Sequence, residues 1–246
     1  MVEHDTDPDR RTAGRQADRA AMLQAIEQEA GEVADWLGKD HLDPRVLAAL
    51  GRVPRHRFVP LLEEGAAYEN RPLPIGAQQT ISQPFIVAVM SDQAEIAPGA
   101  KVLEVGTGSG YQAAVLAELG AEVYSLEVVP SLAAEAAERL ARLGYDRVHC
   151  REGDGAAGWP QAAPFDAILV TAAARGVPPA LVEQLAPGGR LIIPVEEKSG
   201  RGPAHWFLPA QSLLRIDKAA DGSIHERSLF PVAFVPLTKP RAPQGR

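Results

Sequence analysis

Three acids stand where a small polar ligand could use them: Glu104, Glu127 and Asp154. The first precedes a glycine-rich run, Gly106-Thr107-Gly108-Ser109-Gly110, in the stretch VLEVGTGSGYQ. Glycines between a strand and a helix permit a tight turn and let a ligand approach the backbone. A dinucleotide fingerprint, G-x-G-x-x-G, wants a third small residue where Tyr111 stands. Glu104 is also a poor neighbour for a diphosphate and a good one for an ammonium group. Glu127 lies about 20 residues beyond the loop, the place of a ribose-binding carboxylate. A carboxylate there accepts hydrogen bonds from vicinal hydroxyls. Asp154, followed by Gly155, is placed to reach an adenine amino group. The pattern describes a nucleoside with a cationic tail and no phosphates, and S-adenosylmethionine is that molecule.

Rival chemistries are weaker on the same residues. An NAD(P) site has to tolerate Glu104 and Tyr111, and no hydride-transfer partner is evident. Ser109 lacks the G-x-S-x-G elbow of a serine hydrolase, because Thr107 and Tyr111 flank it. Cys150 falls in an expected strand, RVHCRE, where a packed thiol is the better reading. The histidines show no metal-ligand spacing with one another or with Cys150, so no metal is expected. The polar run GAQQTISQP at 76–84 is either a surface connection or the wall of a ligand site.

The elements that must position these groups follow from periodicity. KVLEVG (101–106), EVYSLE (122–127), RVHCREGD (147–154), FDAILVTAA (165–173) and RLIIPV (190–195) read as strands. Helices are expected at 111–119, 131–143 and 178–186, stopped by Gly120, Gly144 and PGG. Such alternation implies α/β architecture with a doubly wound, mostly parallel sheet and ligands at the carboxyl ends of its strands. SGRGPA then reads as a flexible connection, followed by two antiparallel strands joined through AADGS, where Asp221-Gly222 is a hairpin signal. Upstream, apolar residues from Ala20 to Leu37 recur at helical spacing. Asp43-Pro44 opens a second helix, with Gly51 as its stop. Residues 1–19 carry almost no large apolar groups and are expected to be disordered, 20–98 to form a helical subdomain with the polar run, and 99–240 the ligand-binding domain.

The net charge of −7 over 246 residues argues against nucleic acid or an anionic membrane as the main partner. The densest basic patch, Arg52, Arg55, His56 and Arg57, reads as a solvated helix end. A single cysteine excludes an intrachain disulfide and suits a reducing compartment. The N-terminus resembles neither a signal nor a transit peptide, and a cytoplasmic location is expected.

Several stretches in order resemble the protein-L-isoaspartate O-methyltransferases: RVPRHRFVP, YENRPLPIG, QTISQP, VLEVGTGSGYQ, GDG, FDAILVTAA, LAPGGRLIIPV and FVPLTK. The resemblance spans about Val46 to Lys239. It implies a seven-stranded class I methyltransferase sheet with an N-terminal helical segment and an antiparallel C-terminal strand pair. It further implies methyl transfer from S-adenosyl-L-methionine, leaving S-adenosyl-L-homocysteine, to the α-carboxylate of isoaspartyl residues in damaged proteins and peptides. Thr80, Ile81 and Ser82 would line the site, with Ser82 catalytic. Glu104, Gly106, Gly108, Ser109, Glu127, Asp154, Gly155 and Thr238 would contact the cofactor. A monomer with no nucleic-acid or membrane partner is expected. Val87 stands where some relatives carry histidine, Glu196-Glu197-Lys198 follow Val195 where glycine is usual, and residues 1–19 have no counterpart. Two alternatives stay open: a same-fold enzyme esterifying an aspartate of one dedicated peptide, and a non-catalytic module that keeps the cofactor fold.

Overall fold

In the computed structural model, residues 8–201 and 209–240 are described. The chain opens with α1 (Pro8–Glu32), α2 (Ala34–Leu37) and α3 (Pro44–Arg52), then two 3₁₀ turns at Arg55–Phe58 and Leu61–Ala66. β1 (Leu73–Gly76) and β2 (Gln79–Ile81) form an antiparallel hairpin that leads into α4 (Pro84–Gln93). There follow β3 (Lys101–Val105), α5 (Tyr111–Glu118), β4 (Glu122–Glu127), α6 (Pro130–Arg142), β5 (Val148–Glu152), β6 (Phe165–Val170) and α7 (Pro179–Gln184). β7 (Leu185–Arg201), β8 (Pro209–Lys218) and β9 (Ile224–Val232) complete the order.

The main sheet has seven strands in the order β5-β4-β3-β6-β7-β8-β9. The first five are parallel, and β8 and β9 run antiparallel. The expected doubly wound sheet with a terminal hairpin is therefore observed. Its central strands are buried on both faces, which is why they read as unbroken apolar runs. Side-chain alternation divides each between two cores. Val102, Leu169 and Ile192 join the core built from α1, α3, α4 and α5. Leu103, Ile168 and Leu191 join the core beneath α7. Strand order reverses between β3 and β6, so the crevice at their carboxyl ends is the place for a ligand.

Four expectations need correction. Residues 1–7 lie outside the described residues, but the chain is helical from Pro8, so disorder does not hold over 8–19. The helix is tied down by distant partners: Arg15 pairs with Glu64 at 2.8 Å, and Arg19 donates to Gly51 O at 2.8 Å and to Tyr68 Oη at 3.0 Å. Gly51 does not stop α3, which continues to Arg52. The basic patch is a solvated helix end only in part: Arg52, which ends α3, and Arg57 face solvent, whereas Arg55 is 0% and His56 8% exposed. Finally, β7 runs to Arg201, past the Ser199 at which a flexible connection was expected. The rest of that connection, 202–204, lies outside the described residues. The N-cap expectation at Asp43 holds, its carboxylate accepting from Arg45 N at 2.8 Å.

Candidate active site

The glycine loop leaves β3 with Gly106, Gly108 and Gly110 all at positive φ. Gly106 has a second constraint. A Cβ there would sit 2.4 Å from Thr171 Oγ1, and that hydroxyl donates to Gly106 O at 2.6 Å. The loop is pinned from below, because Gly106 N and Thr107 N both donate to Leu126 O.

Glu127 ends β4 and binds the loop from the side. Its Oε2 accepts from Gly108 N at 2.7 Å, and its Oε1 accepts from Val128 N and Val129 N at 3.0 Å each. A carboxylate has about four acceptor positions, so one remains for a ligand. Glu104 is fully buried in β3. Its Oε2 accepts from Ser125 Oγ, which is joined to Thr107 Oγ1 at 2.6 Å. Burial, with Glu127 nearby, pushes its carboxyl up to about 8 despite that hydrogen bond.

Two adjoining cavities open at the β3–β6 crevice. The larger, about 540 Å³, is lined by Gln79, Thr80, Gly106, Gly108, Glu127, Gly155, Thr171 and Thr238 among others. The smaller, about 320 Å³, is lined by Thr80, Ile81, Ser82, Val87, Glu104, Ser109, Tyr111 and Gln112, and again by Gly106, Gly108 and Thr171. Ten of the eleven residues singled out in the sequence thus line one cavity or both. Asp154 does not; its Oδ1 accepts from Ala156 N at 3.0 Å and caps the following turn. Gly155 is required there for close approach, since a Cβ would lie 2.3 Å from Val105 Cγ1.

The stretch QTISQP is the second hairpin strand plus the lead into α4. Glu29 of α1 holds it, accepting from Gln83 Nε2 at 3.0 Å and from Asn70 Nδ2 at 2.7 Å. Asn70 Oδ1 in turn accepts from Phe85 N at 3.0 Å. Thr238 is held by the last segment, where Ala173 N donates to Val235 O and Leu237 N to Ala173 O.

Sequence reasoning missed Thr171, Gln79 and Gln112 as lining residues. In the sequence Thr171 falls inside the expected strand FDAILVTAA, with nothing to mark it as facing a ligand. Gln112 lies inside α5, donating to Ser91 Oγ at 2.9 Å, with no sequence signal to single it out. The unpartnered buried polar atoms include Glu104 Oε1, Tyr111 Oη and Gln112 Oε1, all on residues lining the smaller cavity. Buried polar atoms ordinarily have partners. A carboxyl oxygen, an amide oxygen and a hydroxyl left over together fit a cationic, hydrogen-bond-donating group. Neither lining contains Arg or Lys, which a diphosphate would want. Among the described residues no group of three or more His, Cys, Asp or Glu is placed to hold a metal ion. Nor does any hydrogen bond link the Ser82 hydroxyl to histidine or lysine there.

Residues 33–242 match the family model of protein-L-isoaspartate(D-aspartate) O-methyltransferase. The chain is 55% identical over 222 residues to protein-L-isoaspartate O-methyltransferase 2 of Syntrophobacter fumaroxidans, covering 90% of this chain and 86% of that one. It is 57% identical over 194 residues to the Gloeobacter violaceus protein-L-isoaspartate O-methyltransferase, covering 79% and 90%. Among solved structures, a protein-L-isoaspartate O-methyltransferase superposes with TM-score 0.73 at 25% identity, covering 89% of this chain and 65% of that chain. A Plasmodium falciparum protein assigned to the same activity, in complex with S-adenosyl-L-homocysteine, superposes with TM-score 0.70 at 26% identity and covers 89% and 97%. The chain belongs to the protein-L-isoaspartate(D-aspartate) O-methyltransferase family.

Proposed function

We propose that this protein transfers a methyl group from S-adenosylmethionine to the α-carboxylate of L-isoaspartyl residues in damaged proteins and peptides. The observation that carries the reading is the pair of cavities sharing Thr80, Gly106, Gly108 and Thr171. One contains the carboxylate of Glu127 and the other both Ser82 and Glu104, so a nucleoside and a methyl acceptor have adjoining places. Glu127 would accept from a ribose hydroxyl, and Glu104 with Gln112 would hold the ammonium of the methionine tail. When bound, the cofactor supplies a methyl group on a sulfonium, whose thioether leaving group needs no proton.

The acceptor carboxylate is already ionised near neutrality, so no general base is needed. The smaller cavity supplies none, since its one carboxyl, Glu104, is engaged by the ammonium. What remains is alignment and the exclusion of water. The Ser82 hydroxyl donates a hydrogen bond that orients the carboxylate, while Ile81 and Val87 give the cavity apolar walls. The resulting methyl ester carries a better leaving group, methanol, than the free carboxylate does. Attack by the next backbone nitrogen expels methanol and forms a succinimide, whose hydrolysis returns some normal aspartate. The net charge of −7 favours a peptide partner over nucleic acid. Among the described residues no helix is long and apolar enough to cross a membrane. Methyl transfer from labelled cofactor to an isoaspartyl peptide, beside its aspartyl twin, tests the reading. Equal rates on both would favour a same-fold methyltransferase that esterifies an aspartate of a dedicated peptide instead.

A further inference from the structure

We propose that Arg55 is a positioning residue for methyl transfer, its buried guanidinium fixing the Ser82 peptide against the first residue of α5. The inference rests on the function proposed above and adds a residue to its machinery. Arg55 is 0% exposed, yet among the described residues no carboxylate lies within ion-pair distance of it. Its partners are backbone carbonyls: Nε donates to Ala67 O at 2.8 Å, and Nη2 to Ser82 O at 2.8 Å and Arg71 O at 3.5 Å. The guanidinium carbon lies 4.7 Å from the centre of the Tyr111 ring. Tyr111 follows the glycine loop directly and lines the same cavity as Ser82.

A buried cation without a counterion is expensive, and apolar side chains would fill the space at less cost. The charge is better explained by what it reaches. Ser82 falls between the end of the β1–β2 ladder at Ile81 and the N-cap of α4 at Gln83. Its carbonyl therefore belongs to neither element's regular bonding, and Arg55 supplies the donor. The planar fork ties the 67–71 connection to Ser82 while stacking on Tyr111, which a lysine ammonium cannot reproduce. One side chain thus couples the acceptor-side loop to the helix that carries the cofactor-side loop. In an alignment-limited reaction, a small shift in that spacing appears in the chemical step.

The test is a double-mutant cycle of Arg55→Lys and Ser82→Ala, read by single-turnover methylation of an isoaspartyl peptide and by cofactor Kd. Arg55→Lys is expected to slow the single-turnover rate about 10²-fold while cofactor Kd and peptide KM change less than about threefold. In the Ser82→Ala background the same substitution is expected to cost less than about threefold, because the residue acts through Ser82. A merely structural role predicts losses that multiply, or losses in Kd and KM, and either result overturns the inference. Should Arg55→Lys fail to fold, Arg55→Gln, which buries no charge and keeps a donor, takes its place. Failure of both to fold also overturns it, by making the contact an element of stability. An inactive wild type would instead refute the proposed function, so the two failures are distinguishable.

Discussion

Glu104→Gln separates the two roles assigned to the buried carboxyl. Burial raises Glu104 to about 8, with Glu127 adding to the rise and Ser125 opposing it. The thiol of Cys150, two strands away, is pushed up to about 12 by burial and by Glu104, so it stays neutral below pH 8. His56, lowered to about 4 chiefly by burial, is also uncharged across the range. At pH 7 roughly one free molecule in ten carries an ionised Glu104. Binding an ammonium there favours the ionised form and releases the proton. Cofactor affinity should therefore strengthen with rising pH, by up to about tenfold per unit or 1.4 kcal/mol, between pH 5.5 and 7.5. Above that window the cofactor's own amine, with a pKa of roughly 8, begins to deprotonate. Calorimetry in buffers of different ionisation enthalpy should show close to one proton released per cofactor bound at pH 7. Glu104→Gln should bind more weakly at pH 7.5, with neither pH dependence nor proton release. Stability moves the other way. A carboxyl raised on folding contributes most below its unfolded value and loses that contribution as pH rises toward 8. Wild type should thus lose about 1.4 kcal/mol per pH unit relative to Glu104→Gln in urea unfolding between pH 5 and 8. Wild-type affinity that stays flat from pH 5.5 to 7.5, with no proton released, would refute the reasoning.

Ser82→Ala should lower turnover by about 10²–10³-fold at most, the loss of one positioned donor, with cofactor affinity nearly unchanged by calorimetry. At saturating cofactor the single-turnover rate of wild type should be flat from pH 6 to 8, since no proton moves in the chemical step; a bell-shaped profile would reveal a general base. Glu127→Ala should weaken cofactor binding by about 1.5–3 kcal/mol. It also removes the acceptor for three backbone amides, so Glu127→Gln, which keeps one acceptor oxygen, should lose less by the same calorimetric comparison.

The parallel sheet was legible because β3, β6 and β7 are covered on both faces, leaving apolar runs too short for helices. The glycine loop was legible because its chemistry is local, strand, turn and helix being contiguous. The β1–β2 hairpin was not. Its two-residue turn is Ala77-Gln78, at φ 49° and 58°, where asparagine and glycine ordinarily give the signal. Arg55 and His56 read as surface charge because nothing local shows that Ala67, Ser82 and Tyr68 offer them partners. The helix over 8–19 was hidden likewise, its anchors Glu64 and Tyr68 lying about 50 positions on. Asp154, an acid after a strand end, also has a structural task that its position in the sequence does not show, capping the turn that follows. Thr171 and Gln112 reach the site only through sheet order and helix packing, which no single segment encodes.

The most direct test of the central claim is initial-rate transfer of labelled methyl from S-adenosylmethionine to a peptide containing one isoaspartyl residue, run beside the same peptide with aspartate. The account predicts base-labile methyl ester on the isoaspartyl peptide, decaying through succinimide with release of methanol, and none on its twin. Esterification of both peptides at equal rates, or of neither, would contradict it.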